Sequence, residues 1–129
     1  MSTVTLILRI EGLAAGLAGI ALYGLFQGNW LLLVPLWFVP DISIAGYLRG
    51  PRFGAFTYNL VHNWALSIAL LLTGSLLNLT ELALAGAILL LHVGMDRLLG
   101  YGLKYPTSFQ ETHLGRIGRN ARNEQSKSQ

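Results

Sequence analysis

From Gly12 to Met95 the sequence carries charge only at Asp41, Arg49, Arg52 and Glu81. A soluble domain carries about 25% charged residues, whereas this chain has 12%, against 53% hydrophobic. So long an apolar body calls for lipid rather than water around it. The remaining charges lie in the first eleven residues or after Met95. There is no cysteine, which excludes a disulfide framework, a thiolate metal site and a cysteine nucleophile. The net charge of +3 does not point to nucleic acid, because the arginines after Met95 are too sparse for a nucleic-acid arm.

A membrane helix needs about 20 mostly apolar residues, and four stretches qualify. They run roughly from Val4 to Phe26, Trp30 to Leu48, Phe53 to Leu77 and Leu82 to Leu99. They are apolar all round, and the two-residue alternation of a membrane barrel is absent. Arg49 and Arg52 fall in the second loop, Arg97, Lys104, Arg116, Arg119, Arg122 and Lys127 fall after the fourth span, and the first and third loops carry none. With four spans all of these lie on one side, so both termini are expected to be cytoplasmic. No cleavage site follows Arg9 and Glu11, so the first apolar run is expected to be a retained helix. The fold expected is an all-α integral membrane protein, N-in and C-in, with four transmembrane helices and a short cytoplasmic C-terminal segment. Residues 1–118 would form one domain, and 119–129 a disordered polar tail. Gly12, Ala15, Gly16 and Gly19 form a small-residue face for close helix packing, which also leaves room for a homo-oligomer through the first helix. The other expected partner is the bilayer.

Gly100 to Arg116 is too polar to span and too aromatic for a plain linker. It is expected either to fold back as a lid, with His113 or Lys104 near the polar residues of the bundle, or to lie along the membrane surface. A faint repeat links Asp41, Gly46-Tyr47, Arg49 and Pro51 to Asp96, Gly100-Tyr101, Lys104 and Pro106.

Ionisable groups inside a bilayer cost about 2.5–3.5 kcal/mol each on insertion scales and are functional candidates for that reason. Here they are Glu11, Asp41, His62, His92 and Asp96, all in the half of the bundle nearer the arginines. At about 1.5 Å per residue, Asp41 and His62 should lie about 12 and 15 Å below that edge. His92 and Asp96 are four apart and share a helix face, as do Tyr58 and His62. Imidazole with carboxylate suits zinc, iron or manganese. Tyr58, Asn59 or Asn63 could hold the outer ring nitrogen of a ligating histidine, and His113 is a further supporting candidate. Singly, each has a plainer role: an interhelical hydrogen bond for His62, a surface pair of Asp96 with Arg97, a helix cap for Asp41.

The segments Leu8–Gly12, Pro40–Ser43, Gly46-Tyr47, Gly50–Arg52, Tyr58–His62, His92, Asp96-Arg97, Gly100–Pro106 and Thr112–Arg116 resemble a family of small bacterial membrane proteins catalogued as domain of unknown function 4260. The likeness covers roughly Leu8 to Gly118. It implies an integral membrane protein and carries no established activity. Pro40-Asp41 and Tyr58-Asn59-x-x-His62 are also similar to pieces of membrane-bound metal-dependent hydrolases, whose histidine-rich segment this chain lacks. Two functions are therefore expected as alternatives. One is a metal-dependent membrane enzyme, hydrolase or oxidase, acting on a lipid-like substrate with catalytic residues unassigned. The other is a non-enzymatic membrane protein in which the same residues form a proton or ion relay or interhelical glue.

Overall fold

The computed structural model describes residues 1–118; the expected polar tail lies outside them. Four helical segments are long and apolar enough to cross a membrane: Thr3–Leu25, Trp30–Arg49, Pro51–Leu76 and Thr80–Leu99. The first is the single helix α1 (Thr3–Leu25), which Ser2 caps by accepting the Thr5 N–H at 3.1 Å. The last is α5 (Thr80–Leu99), closed by Gly100 at φ 95° with Tyr101 N–H returning to the Asp96 carbonyl at 2.7 Å, a left-handed C-terminal stop.

The two middle spans are interrupted. The second begins as α2 (Trp30–Trp37), capped by Asn29, and tightens into a 3-10 helix over Val39–Arg49. Runs of 3-10 helix beyond three or four residues are uncommon. Here Pro40 withholds a donor at the first turn. Ser43 Oγ takes the Pro40 carbonyl at 2.8 Å, and Thr57 Oγ1 takes the Ser43 carbonyl at 2.8 Å. Gly50 and Pro51 then turn the chain into α3 (Pro51–Val61). The third span breaks after His62 and restarts as α4 (Trp64–Leu76).

The core is organised on α5, which packs against α1 on one side and α4 on the other, while α3 packs mainly on the 3-10 helix. The α1–α5 seam uses the small-residue face foreseen from the sequence: Gly12, Gly16 and Gly19 lie against Leu91, Gly94 and Arg97. The face on which a homo-oligomer was expected is thus covered by α5 of the same chain. Large apolar side chains such as Leu31, Leu60 and Leu72 point outward, while His62, His92, Asp96 and Arg97 are buried. This inverts the arrangement of a soluble protein.

After α5 the chain makes a small hairpin of β1 (Glu111–Thr112) and β2 (Gly115–Arg116), with Lys104 bridged to Thr112. Asn59 of α3 pins this segment down with two bonds to the Lys104 backbone, Nδ2 to the carbonyl at 2.8 Å and Oδ1 from the N–H at 2.7 Å. The segment therefore folds back onto α3.

The glycine seam yields a graded test. A Cβ on Gly19 would lie 2.6 Å from Leu91 N and 2.8 Å from the Ala87 carbonyl, whereas one on Gly16 would meet nothing closer than 3.8 Å. Gly19→Ala should lower stability by about 1–3 kcal/mol through forced separation of the helices, and Gly16→Ala should hold or gain slightly from helix propensity. Thermal melts of both variants in detergent read the contrast.

Candidate metal centre

The break after His62 places the site. His62 ends α3 with its N–H on the Tyr58 carbonyl at 2.8 Å, and Arg97 Nη2 takes the freed His62 carbonyl at 3.0 Å. Asn63 joins the two half-helices. Its Nδ2 donates to the Asn59 and Leu60 carbonyls at 2.9 and 2.7 Å, and its Oδ1 caps α4 by accepting the Leu66 N–H at 3.0 Å. Backbone groups inside a membrane must find such partners within the protein. Asn63 is therefore a splice in the backbone, and Asn59 anchors the C-terminal segment; neither holds a histidine ring, as the sequence had suggested they could.

Four of the five expected ligands meet. One ligand atom each from Asp41, His62, His92 and Asp96 lies within 4.8 Å of all the others. His62 Nε2 is 3.1 Å from His92 Nε2, 3.3 Å from Asp41 Oδ1 and 3.7 Å from Asp96 Oδ2. His92 Nε2 is 3.2 Å from Asp41 Oδ1 and 3.6 Å from Asp96 Oδ2. Glu11 is exposed on α1 and is not in the group. Its neighbour Gly12 faces α5, and successive side chains on a helix point about 100° apart.

The outer ring nitrogens decide the tautomers. His92 Nδ1 lies 2.6 Å from the Trp37 carbonyl, and His62 Nδ1 lies 3.0 Å from the Tyr58 carbonyl. A carbonyl only accepts, so each Nδ1 carries the hydrogen, and in the neutral ring each Nε2 is left with a lone pair. Two such lone pairs and two carboxylate oxygens converge on one point. That arrangement is repulsive until something positive enters it. A backbone carbonyl behind each ring is also how metal-ligating histidines are oriented.

Around them, the Tyr58 ring stacks on His62 at 3.8 Å and its hydroxyl donates to Asp96 Oδ2 at 3.1 Å, while its backbone carbonyl, not its side chain, holds the outer nitrogen of His62. Trp37 packs its ring 4.7 Å from His92. Ser43 Oγ reaches within 3.5 Å of His62 Nδ1. Asp41 is the least enclosed member, its side chain 39% exposed against 12% for Asp96. His113 stands apart from the cluster: its Nδ1 accepts the Leu103 N–H at 2.8 Å. Burial, and then the charge of Arg97, hold its pKa below the usual histidine value. It fixes the hairpin rather than a ligand. The sequence reading missed Ser43, the Trp37 carbonyl and the hold of Arg97 on His62. Only Pro40 beside Asp41 and Asn63 beside His62 hinted at them, as helix breakers next to candidate ligands.

A family model described as "Domain of unknown function (DUF4260)" matches residues 5–117. The chain belongs to this family. No curated protein and no solved structure matches it. The DUF4260 match takes in all four residues of the cluster and the hairpin, so the site lies wholly within the family domain.

Lys104 is the buried cation nearest this centre outside the spans. It is 4% exposed, its Nζ 5.0 Å from the Tyr58 ring centroid. Burial pushes its pKa down to about 8 from the ordinary 10.5. Between those values the unfolded chain binds the proton and the folded chain does not. Stability should therefore rise as pH climbs from about 8 to 10.5, because the unfolded state holds the extra proton there. Lys104→Met should flatten that slope, read by melting in phosphate-free detergent buffer.

Proposed function

We propose that this DUF4260 chain is a metal-dependent hydrolase of a cell membrane, with both termini cytoplasmic, that cleaves an ester of a lipid-like substrate at the Asp41, His62, His92, Asp96 centre. The observation that carries the reading is the convergence of four acceptors. In a tetrahedral site with bonds of about 2.0–2.2 Å, neighbouring ligand atoms stand about 3.3–3.6 Å apart. Five of the six separations here span 3.1–3.7 Å, and the sixth, Asp41 to Asp96, is within 4.8 Å. A proton satisfies one such contact at a time, whereas a divalent cation satisfies all of them. This favours the metal over a proton relay or interhelical glue.

His62, His92 and Asp96 are the firmly held ligands, each with a partner behind it. Asp41 comes from the 3-10 helix, is half-exposed, and has no other side-chain partner than the two imidazoles among the described residues. It suits the changeable role, a fourth ligand at rest and a base toward water during hydrolysis. Zinc, iron or manganese held there would lower the pKa of a bound water. The substrate class follows from a groove of about 800 Å³ lined mostly by apolar side chains, among them Leu32, Leu36, Leu66, Leu70 and Leu84. It extends from Glu81 at the start of α5 to Pro40 and Ser43, the residues flanking Asp41. An apolar groove within the spans that ends beside the centre fits an acyl chain. The cytoplasmic termini rest on the arginine and lysine placement; reporter fusions at the C-terminus and at Asn78 check it, and a periplasmic C-terminus would contradict it.

Protein purified without chelator or histidine tag should contain about one equivalent of divalent metal. His62→Ala, His92→Ala and Asp96→Asn should lose it, whereas Asp41→Asn should retain most of it and lose turnover by about 100-fold or more, the range for a general base starting there. Elemental analysis and release of free fatty acid from a total lipid extract are the readouts. A folded wild-type protein that neither contains metal nor takes up zinc, iron or manganese would overturn the proposal.

A further inference from the structure

Beyond the metal cluster, a second group of polar atoms lies under the C-terminal hairpin. Lys104 Nζ, the Tyr47 hydroxyl and Ser108 Oγ are each sealed from solvent without a hydrogen-bond partner among the described residues. Lys104 and Tyr47 both meet Phe109, and Ser108 is its chain neighbour. Lys104 Nζ lies 3.9 Å from the Phe109 ring centroid, and the Tyr47 ring meets it edge-on at 5.3 Å. Buried polar groups are nearly always paired, so an unpaired one calls for an explanation, and a buried ammonium most of all. The rings of Tyr58 and Phe109 give the ammonium some compensation but accept no conventional hydrogen bond from it. Tyr47 and Ser108 bring no formal charge.

Their placement narrows the ligand. Tyr47 lies two residues before Arg49, where the second span ends, and Lys104 lies five residues beyond Leu99, where the fourth ends. The group therefore sits at the end of the bundle, level with lipid headgroups if the spans cross a bilayer. An ammonium with three donors and two hydroxyls can together address the several oxygens of a phosphate. The Tyr58 ring separates this group from the metal cluster, one side facing Lys104 and the hydroxyl bonded to Asp96.

We propose that Lys104, Tyr47 and Ser108 form a phosphate-binding subsite that holds the anionic headgroup of the substrate next to the metal centre. As a statement about substrate this rests on the hydrolase reading; as a binding site it stands without it. The three side chains reach it from two different parts of the chain. Lys104 and Ser108 come from the C-terminal segment and Tyr47 from the 3-10 helix, so a bound phosphate would also tie the hairpin to the bundle.

The test uses the full chain in an uncharged, phosphate-free detergent, with inorganic phosphate, dioctanoyl phosphatidic acid and dioctanoylglycerol as probes. Binding is followed by calorimetry and by the shift in melting temperature, and metal content is measured on the same samples with and without chelator. Phosphatidic acid should bind and raise the melting temperature, with or without metal. Lys104→Met should weaken it about tenfold or more, the scale of a hydrogen bond to a charged group. Tyr47→Phe and Ser108→Ala should weaken it several-fold and, in the absence of phosphate, leave stability unchanged or higher, since each removes an unpaired oxygen. Binding of inorganic phosphate with the same variant dependence, and not of the lipid, also supports the subsite and assigns it to a soluble phosphate compound. Failure of both phosphate probes to bind folded wild-type protein, equal binding by all three variants, or variant-sensitive binding of uncharged dioctanoylglycerol would overturn it. Absence of metal with phosphate binding intact would sink the hydrolase reading alone.

Discussion

Two imidazole nitrogens 3.1 Å apart, each turned inward by a carbonyl behind its ring, are the constraint on which the rest of the structure depends. Lone pairs do not gather in a membrane interior unless something holds them there. The Trp37 carbonyl behind His92 is free because α2 stops at that residue, and the Tyr58 carbonyl behind His62 takes both the last N–H of α3 and the His62 ring. The irregular backbone and the ligand set are two aspects of one arrangement. A continuous second span would leave the Trp37 carbonyl to its own ladder and take it away from His92.

Breaking two helices where no water can compensate requires every freed group to be met from within. Side chains do this: Ser43 and Thr57 along the 3-10 helix, Asn63 across the gap, Arg97 on the His62 carbonyl. Arg97 also bonds the Tyr101 carbonyl at 2.8 Å and lies over Trp64. It serves the interior of the bundle rather than the membrane edge, where its place beside Asp96 in the sequence suggested a surface pair. The same discontinuity is what transporters use to build polar sites at membrane depth, reached here in a much smaller chain.

Much of this was legible in the sequence, and the limits have physical causes. Hydropathy gave four spans because burying apolar length in lipid depends on composition alone. The ligands Asp41, His62, His92 and Asp96 stood out because charge and imidazole are rare at such depth. Glu11 was drawn in by the same argument and excluded by rotation: the glycine seam fixes which side of α1 meets α5, and Glu11 lies off that side. The helix breaks were only hinted at, because Pro40 and Asn63 each permit a break without requiring one; carbonyl partners from distant elements, Thr57 for Ser43 and Arg97 for His62, make the break tolerable. Asn59 and Lys104 are far apart in the chain, and no local pattern marks their pairing.

The packing of the helices divides the molecule unequally. α1 and α4 lie against α5, whereas α3 lies against the 3-10 helix. Asp41 and His62 belong to the second group and its end, His92 and Asp96 to the first. The two groups are joined through the chain at Asn63, through Arg97, through the Tyr58 bond to Asp96 and the Asn59 bonds to Lys104, and through these four side chains. An ion held at the centre would add one more tie between the two groups, beside an apolar groove that both of them line.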